Sequence, residues 1–261
     1  MRIVVKVGTS TLAHATGRLN VRRVEELVKV LADLKNAGHQ LILVSSGAIG
    51  MGVGRLNLPG RPADMPTKQA AAAVGQCELM YTYDRLFSQY GHTVAQILLT
   101  AGDVELLQRR RNFENVMGRL LELGALPVIN ENDAVATDEV GVSTTIGEND
   151  TLSAIVAGCV GADLLVILSD IDGLYTADPR KDGGAKLIPE VAAITPEVEA
   201  LAGGTGSALG SGGMTTKLKA AKLVMERGCD MVIANGQRPE ALYDIAAGRP
   251  AGTRFVGRKD A

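Results

Sequence analysis

Two lysines at opposite ends of the chain lie in glycine-rich sequence, and their surroundings are typical of anion binding. Lys6 belongs to a short apolar run that leads directly into Gly8-Thr9-Ser10. Lys217 ends the segment Gly210-Ser211-Gly212-Gly213-Met214-Thr215-Thr216-Lys217, which leads from a glycine loop into a predicted helix. Glycines let backbone N–H groups crowd around an anion, a helix start offers N–H donors, and lysine adds a full positive charge. Two such segments predict a phosphate group held from two sides, as phosphoryl transfer requires.

The elements that would position these lysines follow from the alternation of short apolar runs with longer amphipathic ones. Apolar runs predict strands at residues 3–7, 41–44, 94–98, 126–129, 164–168 and 231–234. Amphipathic runs predict helices at residues 21–35, 67–90, 113–123, 151–159, 214–227 and 239–247, the first of them capped by Asn20. Repeated strand–helix units predict an α/β fold in which helices sandwich a mostly parallel sheet.

Small and polar residues follow four of the predicted strands. These segments are Gly8-Thr9-Ser10, Ser45-Ser46-Gly47-Ala48-Ile49-Gly50, Asn130-Glu131-Asn132-Asp133 and Ser169-Asp170-Ile171-Asp172-Gly173. In open parallel sheets, ligands bind outside the carboxyl ends of the strands. Glycines, hydroxyls, amides and carboxylates gathered on one rim therefore predict a site for a polar ligand.

Each of these residues also has an interpretation that involves no chemistry. Lys6 could lie on an edge strand, where a lysine discourages pairing with other molecules. A buried ammonium is costly unless it is paired or reaches the rim, which makes a position inside the sheet less expected. Lys217 could be an ordinary helix lysine, and Asn149 could cap the helix predicted at 151–159. The segments around Asp133 and Asp170 could be tight turns.

Composition argues against several classes of function. The chain has 261 residues, a formal net charge of −2 and an isoelectric point near 6.0, which is unlike a nucleic-acid binder that depends on overall positive charge. Its three cysteines lie far apart without metal-binding spacing, as is typical of a reducing cytoplasm. No apolar run approaches the roughly 18 residues that indicate a membrane span. Because no linker-like segment divides the chain, we expect one cytoplasmic domain over residues 1–261.

Motifs of several other enzyme classes are absent from the sequence. It contains neither the Gly-x-x-x-x-Gly-Lys-[Ser/Thr] phosphate loop nor the Gly-x-Gly-x-x-Gly dinucleotide motif. Protein-kinase signatures and the Gly-x-Ser-x-Gly hydrolase motif are also missing. With three histidines in all, each near a predicted loop or helix end, a Ser-His-Asp hydrolase is poorly supported.

Six segments, in order along nearly the whole chain, resemble the glutamate 5-kinases of the amino acid kinase family. They are Val5-Lys6-Val7-Gly8-Thr9-Ser10, Val44-Ser45-Ser46-Gly47-Ala48-Ile49, Ile129-Asn130-Glu131-Asn132-Asp133-Ala134-Val135, Gly147-Glu148-Asn149-Asp150, Leu174-Tyr175-Thr176-Ala177-Asp178-Pro179-Arg180 and Gly212-Gly213-Met214-Thr215-Thr216-Lys217. Aspartate, acetylglutamate and uridylate kinases share the outline but differ in the Asn-Glu-Asn-Asp and Gly-Gly-Met-x-Thr-Lys segments. The resemblance implies a three-layer αβα sandwich, with an acceptor-binding half at about 1–160 and a nucleotide-binding half at about 161–261.

The same resemblance implies a reaction and a set of site residues. ATP, with Mg²⁺, would phosphorylate the side-chain carboxylate of L-glutamate, the first step of proline biosynthesis. Lys6 and Lys217 would flank the phosphoryl group, and Asp150 would orient both lysines. The residues implied for the acceptor are Ser46, Gly47, Asn130, Asp133 and Asn149. Those implied for the nucleotide are Lys6, Ser169, Asp170, Ser211, Gly212, Gly213, Met214, Thr215, Thr216 and Lys217. No protein ligand to the metal is implied, because nucleotide phosphates would supply most of its ligands.

The family outline leaves alternatives open. A sister kinase acting on acetylglutamate or aspartate, or a non-catalytic nucleotide-binding regulator, would share it. A dimer or tetramer and feedback inhibition by L-proline are family expectations, and no nucleic acid or membrane partner is expected. Many relatives carry a carboxyl-terminal PUA domain of RNA-binding type, and we expect a form without it. Glu148 stands where the family pattern has aspartate and is one methylene longer.

Overall fold

The structure is a computed structural model that describes residues 1–14, 18–136, 149–202 and 213–258. Its strands are β1 Arg2–Val7, β2 Gln40–Ser45, β3 Val94–Leu99, β4 Leu126–Glu131, β5 Leu164–Ser169, β6 Glu190–Val191, β7 Asp230–Asn235 and β8 Thr253–Phe255. Its helices are α1 Thr9–Leu12, α2 Val21–Asn36, α3 Ala48–Arg55, α4 Met65–Ser88, α5 Ala101–Glu105, α6 Leu107–Glu122, α7 Asn149–Cys159, α8 Pro196–Ala200, α9 Met214–Met225 and α10 Ala241–Ala246.

Within the described residues, the strands form one eight-stranded sheet in the order β3-β4-β2-β1-β5-β7-β8-β6. The six longer strands run parallel to one another, and β8 pairs antiparallel with β7. The prediction of a mostly parallel sheet is therefore confirmed. Strand β1 lies near the middle, between β2 and β5, so strands from the two halves of the chain meet beside it.

Alternating strand residues build a separate core on each face of the sheet. On β1, Ile3 and Val5 face a core that includes residues of α2, α4 and α10. Val4 faces the other core, which includes residues of α6, α7 and α9. Because successive side chains of a strand point to opposite faces, this arrangement gives three layers with helices on both sides of the sheet.

The structure differs from the predicted elements mainly in short helices and in β6 and β8. Helix α3 was not predicted, because Gly50, Gly52 and Gly54 give residues 48–55 a low helix propensity. Tertiary packing overrides that propensity here, since α3 lies directly against α4. Helix α6 begins at Leu107 rather than at Phe113, so Arg109-Arg110-Arg111 belongs to its first turns.

The contact between α3 and α4 is close enough to require glycine. A Cβ atom added at Gly75 would lie 1.7 Å from the carbonyl oxygen of Ala48 and 2.4 Å from the backbone nitrogen of Gly52. Both neighbours are backbone atoms, so they cannot yield by rotating a side chain. The contact therefore fixes the start of α3, which directly follows Ser46 and Gly47, against the middle of α4.

We expect Gly75→Ala to lower the free energy of unfolding by about 1–3 kcal/mol, the usual cost of overpacking. Urea unfolding would measure it. Gly118→Ala is a matched control, because Gly118 is also inside a helix but a Cβ there would meet no atom within 4 Å. That control should be neutral or slightly stabilising. Equal stability of Gly75→Ala and the wild type would show that the two helices are not held at this distance.

Candidate active site

Lys6 lies on a central strand, not on an edge of the sheet. Strand β1 pairs with β2 through Lys6 and Val44 and with β5 through Lys6 and Ile167. The interpretation of Lys6 as an edge-strand lysine is therefore wrong. Strand alternation puts Lys6 on the same face as Val4, beneath α7 and α9. Its ammonium lies close to the rim, because a Cβ atom added at Gly8 would be 3.4 Å from Lys6 Nζ.

Asp150 lies between the two lysines. Lys6 Nζ is 2.8 Å from Asp150 Oδ1, and Lys217 Nζ donates to Asp150 Oδ2 at 3.1 Å. The three side chains are 11%, 1% and 6% exposed for Lys6, Asp150 and Lys217 respectively. Asp150 lies in the first turn of α7 and Lys217 one turn into α9, so the packing of these two helices brings the groups together. The predicted convergence of the two distant lysines is confirmed.

The charges of this cluster favour an anion. Among these three largely buried side chains, two ammonium groups share one carboxylate, so the three together carry one excess positive charge. Burial would raise the pKa of Asp150, but the positive charges of Lys6 and Lys217 outweigh it and lower that pKa below its ordinary value. Thr216 Oγ also donates to Asp150 Oδ2, at 3.0 Å. Asp150 is therefore held ionised, and its oxygens hold the lysines in place.

A chain of side-chain hydrogen bonds runs from α7 across the rim to α4. Asn149 Nδ2 donates to Ser46 Oγ at 2.6 Å and to Asn130 Oδ1 at 3.1 Å. Asn130 Nδ2 in turn donates to Gln76 Oε1 at 2.9 Å. We call these four residues, Ser46, Asn149, Asn130 and Gln76, the amide relay. Asn149 is the first residue of α7, and its side-chain amide group serves the relay.

Sequence reasoning identified three members of the relay but missed Gln76. The signal was its position within the helix predicted at 67–90. Ala72, Leu79 and Tyr83 occupy the buried stripe of α4, and Gln76 falls on the same stripe although it is polar. A polar residue on an apolar helix face needs a partner, which here comes from a strand 54 positions away.

Gly47 shapes the turn between β2 and α3. Its φ of +107° is in the left-handed region, where a side chain would be strained. The backbone N–H of Ser46 donates to the carbonyl oxygen of Val7, which ties this turn to the end of β1. Ser46, which the sequence resemblance predicts to bind the acceptor, is thereby fixed beside the strand that carries Lys6.

A cavity of about 370 Å³ lies beside the relay, between α4 and the carboxyl ends of β3 and β4. Its lining includes apolar residues such as Ala72 and Leu98 together with Gln76 and Asp133. Burial raises the pKa of Asp133, an effect that the positive charge of Arg61 partly offsets. A positively charged ligand group next to Asp133 would therefore stabilise the ionised form of its carboxylate.

The predicted nucleotide residues lie on the other side of β1. Ser169 ends β5, and its hydroxyl donates to Asp170, whose second oxygen is 3.1 Å from the Arg180 guanidinium. Of the segment before Lys217, Gly213 precedes α9, and Met214 packs against the core. Thr215 Oγ donates to the carbonyl oxygen of Ala202. Ser211 and Gly212, like Glu148, lie outside the described residues.

The family model of the amino acid kinase family matches residues 1–235. The chain belongs to the amino acid kinase family. Glutamate 5-kinase of Clostridium perfringens is 52% identical over 258 residues, covering 99% of this amino acid kinase and 96% of that protein. Glutamate 5-kinase of Listeria innocua is 49% identical, covering 99% and 94%. The resemblance to glutamate 5-kinases that the six segments indicated is confirmed.

Solved structures of other kinases have the same fold. Isopentenyl phosphate kinase of T. acidophilum superposes with a TM-score of 0.67 at 18% identity, covering 98% of this chain and all of that one. Carbamate kinase of Giardia lamblia, solved with AMP-PNP bound, gives 0.69 at 18% identity and covers 98% of both chains. At these identities the comparison shows the fold alone, and it confirms the three-layer α/β prediction.

Two features are absent from the described parts of this amino acid kinase. No helix there is long and apolar enough to cross a lipid bilayer. No three His, Cys, Asp or Glu side chains there are grouped so that they could hold a metal ion.

Proposed function

We propose that this amino acid kinase transfers the γ-phosphoryl group of ATP to the side-chain carboxylate of L-glutamate, giving L-glutamyl 5-phosphate and ADP. The observation that carries the proposal is the buried Lys6–Asp150–Lys217 cluster beside a relay of uncharged amides. Relatives about half identical over nearly the full chain are glutamate 5-kinases, whose product is the first intermediate of proline synthesis.

The acceptor needs no general base. A glutamate carboxylate has a reference pKa of about 4.3, so at neutral pH it is ionised by roughly 500 to one. One of its oxygens attacks the γ-phosphorus while the bond from that phosphorus to the β,γ-bridging oxygen breaks, and ADP leaves with the bonding electrons. No proton has to move, which agrees with a rim of lysines, amides and hydroxyls.

The reaction requires the protein to neutralise negative charge on the acceptor and the phosphate. An anionic acceptor approaches an anionic phosphate, and negative charge spreads over the phosphoryl oxygens in the transition state. Lys6 on β1 and Lys217 on α9 would meet those oxygens, while Asp150 keeps both ammonium groups facing the same point. Their side chains are mostly buried, so their charges are less screened than on an open surface.

The nucleotide would bring Mg²⁺ as part of the MgATP substrate. The carboxylates nearest the phosphoryl site are already paired, Asp150 with two lysines and Asp170 with Arg180. Phosphate oxygens and water are therefore the ligands that suit the ion, and Mg²⁺ adds charge neutralisation of the phosphates.

The two sides of β1 suggest a division of labour within one domain over 1–261. We assign acceptor binding to Ser46, Gly47, Asn130, Asp133 and Asn149, at the ends of β2 and β4 and the start of α7. We assign nucleotide binding to Ser169, Asp170 and the segment 211–217, together with Lys6. Assembly into a dimer or tetramer, inhibition by L-proline and a cytoplasmic location accompany this proposal as family expectations.

An acyl phosphate is trapped by hydroxylamine, which gives a direct test. Purified protein with MgATP and L-glutamate should form the γ-hydroxamate and release an equal amount of ADP. Aspartate and N-acetylglutamate should give much less product, which separates the sister kinases. Binding of ATP without glutamate-dependent ADP release would instead support a nucleotide-binding regulator.

We expect Asp133→Ala to raise the KM for glutamate far more than the KM for ATP. Asp133 would pair with the α-ammonium group of the acceptor, so its loss should also reduce the preference for glutamate over glutarate, which has no amino group. Because burial raises the pKa of Asp133, the glutamate KM of the wild type should rise as the pH falls toward that pKa. Steady-state kinetics with both acceptors would measure these effects, and equal changes in the two KM values would contradict the assignment.

A further inference from the structure

Within the part of the chain that the structure describes, Gln76 carries a buried hydrogen-bond donor that has no partner. The residue is only 8% exposed, and its Nε2 atom, which is buried, has no hydrogen-bond partner among the described residues. An unsatisfied buried amide is costly to a folded protein, so each one calls for an explanation. Gln76 also lines the cavity that contains Asp133.

The hydrogen bonds around Asn130 determine which way the Gln76 amide faces. The backbone N–H of Glu131 can only donate, and it donates to Asn130 Oδ1 at 2.9 Å. The other end of the Asn130 amide must therefore be its NH₂ group, and this group is 2.9 Å from Gln76. Gln76 accepts with Oε1 as a consequence, and its NH₂ group is the end left for a ligand.

The cavity thus has a hydrogen-bond donor and a carboxylate in its wall. Gln76 provides the amide donor and Asp133 a carboxylate, and a second carboxylate, that of Glu131, also lines the cavity. The head of an α-amino acid has the complementary pair of groups, a carboxylate and an ammonium. Farther along the relay, Asn130 accepts from Asn149, the chain neighbour of Asp150, so the relay leads from the cavity toward the lysines.

We propose that Gln76 is a specificity-determining residue that donates a hydrogen bond from Nε2 to the α-carboxylate of the acceptor. This inference rests on the proposed function, because it places the acceptor head in the cavity and its reacting carboxylate beside Lys6 and Lys217. The same side chain holds the relay in register through Oε1. Gln76 therefore links recognition of the head group to the placement of Ser46 and Asn149.

Glutamate α-amide is the probe that tests the contact. It keeps the reacting side-chain carboxylate and the amino group, but its head offers an NH₂ donor in place of a carboxylate oxygen. The wild type should prefer glutamate over the α-amide by at least about 10-fold in kcat/KM, the value of one hydrogen bond to a charged group. Gln76→Glu replaces the donor by an acceptor of the same shape, so it should lower that ratio by about 100-fold.

Two further variants keep the test decisive. Gln96→Glu makes the same change of charge at another glutamine in the cavity wall, one that is exposed. It should alter the ratio much less than Gln76→Glu does. Gln76→Met keeps the volume without a donor, and it should bring the two acceptors to within a few-fold of each other, so it serves as well if Gln76→Glu folds poorly.

The outcomes separate the two proposals. An active enzyme whose acceptor ratio is unchanged in Gln76→Glu and Gln76→Met would overturn the role of Gln76 alone. An equal change in Gln96→Glu would also overturn it, because the effect would then be one of charge in the cavity. If the wild type forms no hydroxamate from glutamate, the proposed function fails and this inference fails with it.

Discussion

Lys217→Met is expected to lower kcat about 100- to 1000-fold, which corresponds to roughly 3–4 kcal/mol of lost transition-state stabilisation. Methionine keeps much of the length and volume of the side chain and removes the charge. Asp150 holds the ammonium group at 3.1 Å, and a charge fixed in place in this way needs little reorganisation to stabilise the transferred phosphoryl group. Lys6→Met should have an effect of similar size, because Lys6 holds the other oxygen of the same carboxylate.

The measurement is steady-state kinetics with hydroxamate detection at saturating ATP and glutamate. Lys219→Met is the matched control, since Lys219 is on the same helix and exposed to solvent. That variant should retain nearly full activity. Near-normal turnover in both Lys6→Met and Lys217→Met would mean that the lysines do not act on the transferred group.

Asp150→Asn should lower both stability and activity. Asparagine keeps the shape of the side chain but leaves two buried ammonium groups without their shared counter-charge. Removing one partner of a buried ion pair commonly costs about 3–5 kcal/mol. We expect a loss of that order in the free energy of unfolding at neutral pH. We also expect a fall in kcat, because the lysines are no longer held facing one point.

The stability lost in Asp150→Asn should depend on pH in a definite direction. The pKa of Asp150 is lowered in the folded state, so its contribution to stability is present above the unfolded-state value. It is lost as the pH falls through the still lower folded-state pKa. The stability difference between the wild type and Asp150→Asn should therefore be largest near neutrality and shrink in acid.

A double variant distinguishes charge from packing. Adding Lys6→Met to Asp150→Asn removes one of the two ammonium groups that lose Asp150 as a partner, so the double variant should be more stable than the sum of the single changes predicts. Urea unfolding of the four proteins completes the cycle. Strict additivity would show that Lys6 and Asp150 do not interact energetically, contrary to their separation of 2.8 Å.

The sequence allowed the main architecture and the lysine pair to be predicted because both depend on strong local patterns. Lys6 interrupts an apolar strand, and Lys217 follows a run of glycines; each pattern has few explanations. Gln76 could not be assigned in this way. Its role depends on the phase of α4 and on a contact with Asn130, which is 54 positions away in the chain.

Helix α3 and the contacts of Thr216 also could not be predicted from local sequence patterns. The glycines of α3 give this segment a low intrinsic helix propensity. Its helical form is stabilised by close packing against α4, where Gly75 approaches Ala48. The assignment of Thr216 to nucleotide binding stays a prediction, but the contacts of its hydroxyl with Asp150 and with the carbonyl oxygen of Gly213, at hydrogen-bond distance from both, were not predicted. Both outcomes depend on contacts between elements distant in sequence, which local patterns do not encode.

Asn149 and Asp150 are consecutive residues at the start of one helix, yet the first joins the amide relay and the second joins the lysines. A rigid helix cannot move one of these side chains without moving the other. Any ligand that shifts the amino end of α7 therefore moves side chains both in the amide relay and in the lysine cluster. Such coupling is reciprocal by thermodynamic necessity: whatever factor one bound substrate applies to the dissociation constant of the second, the second must apply to the first.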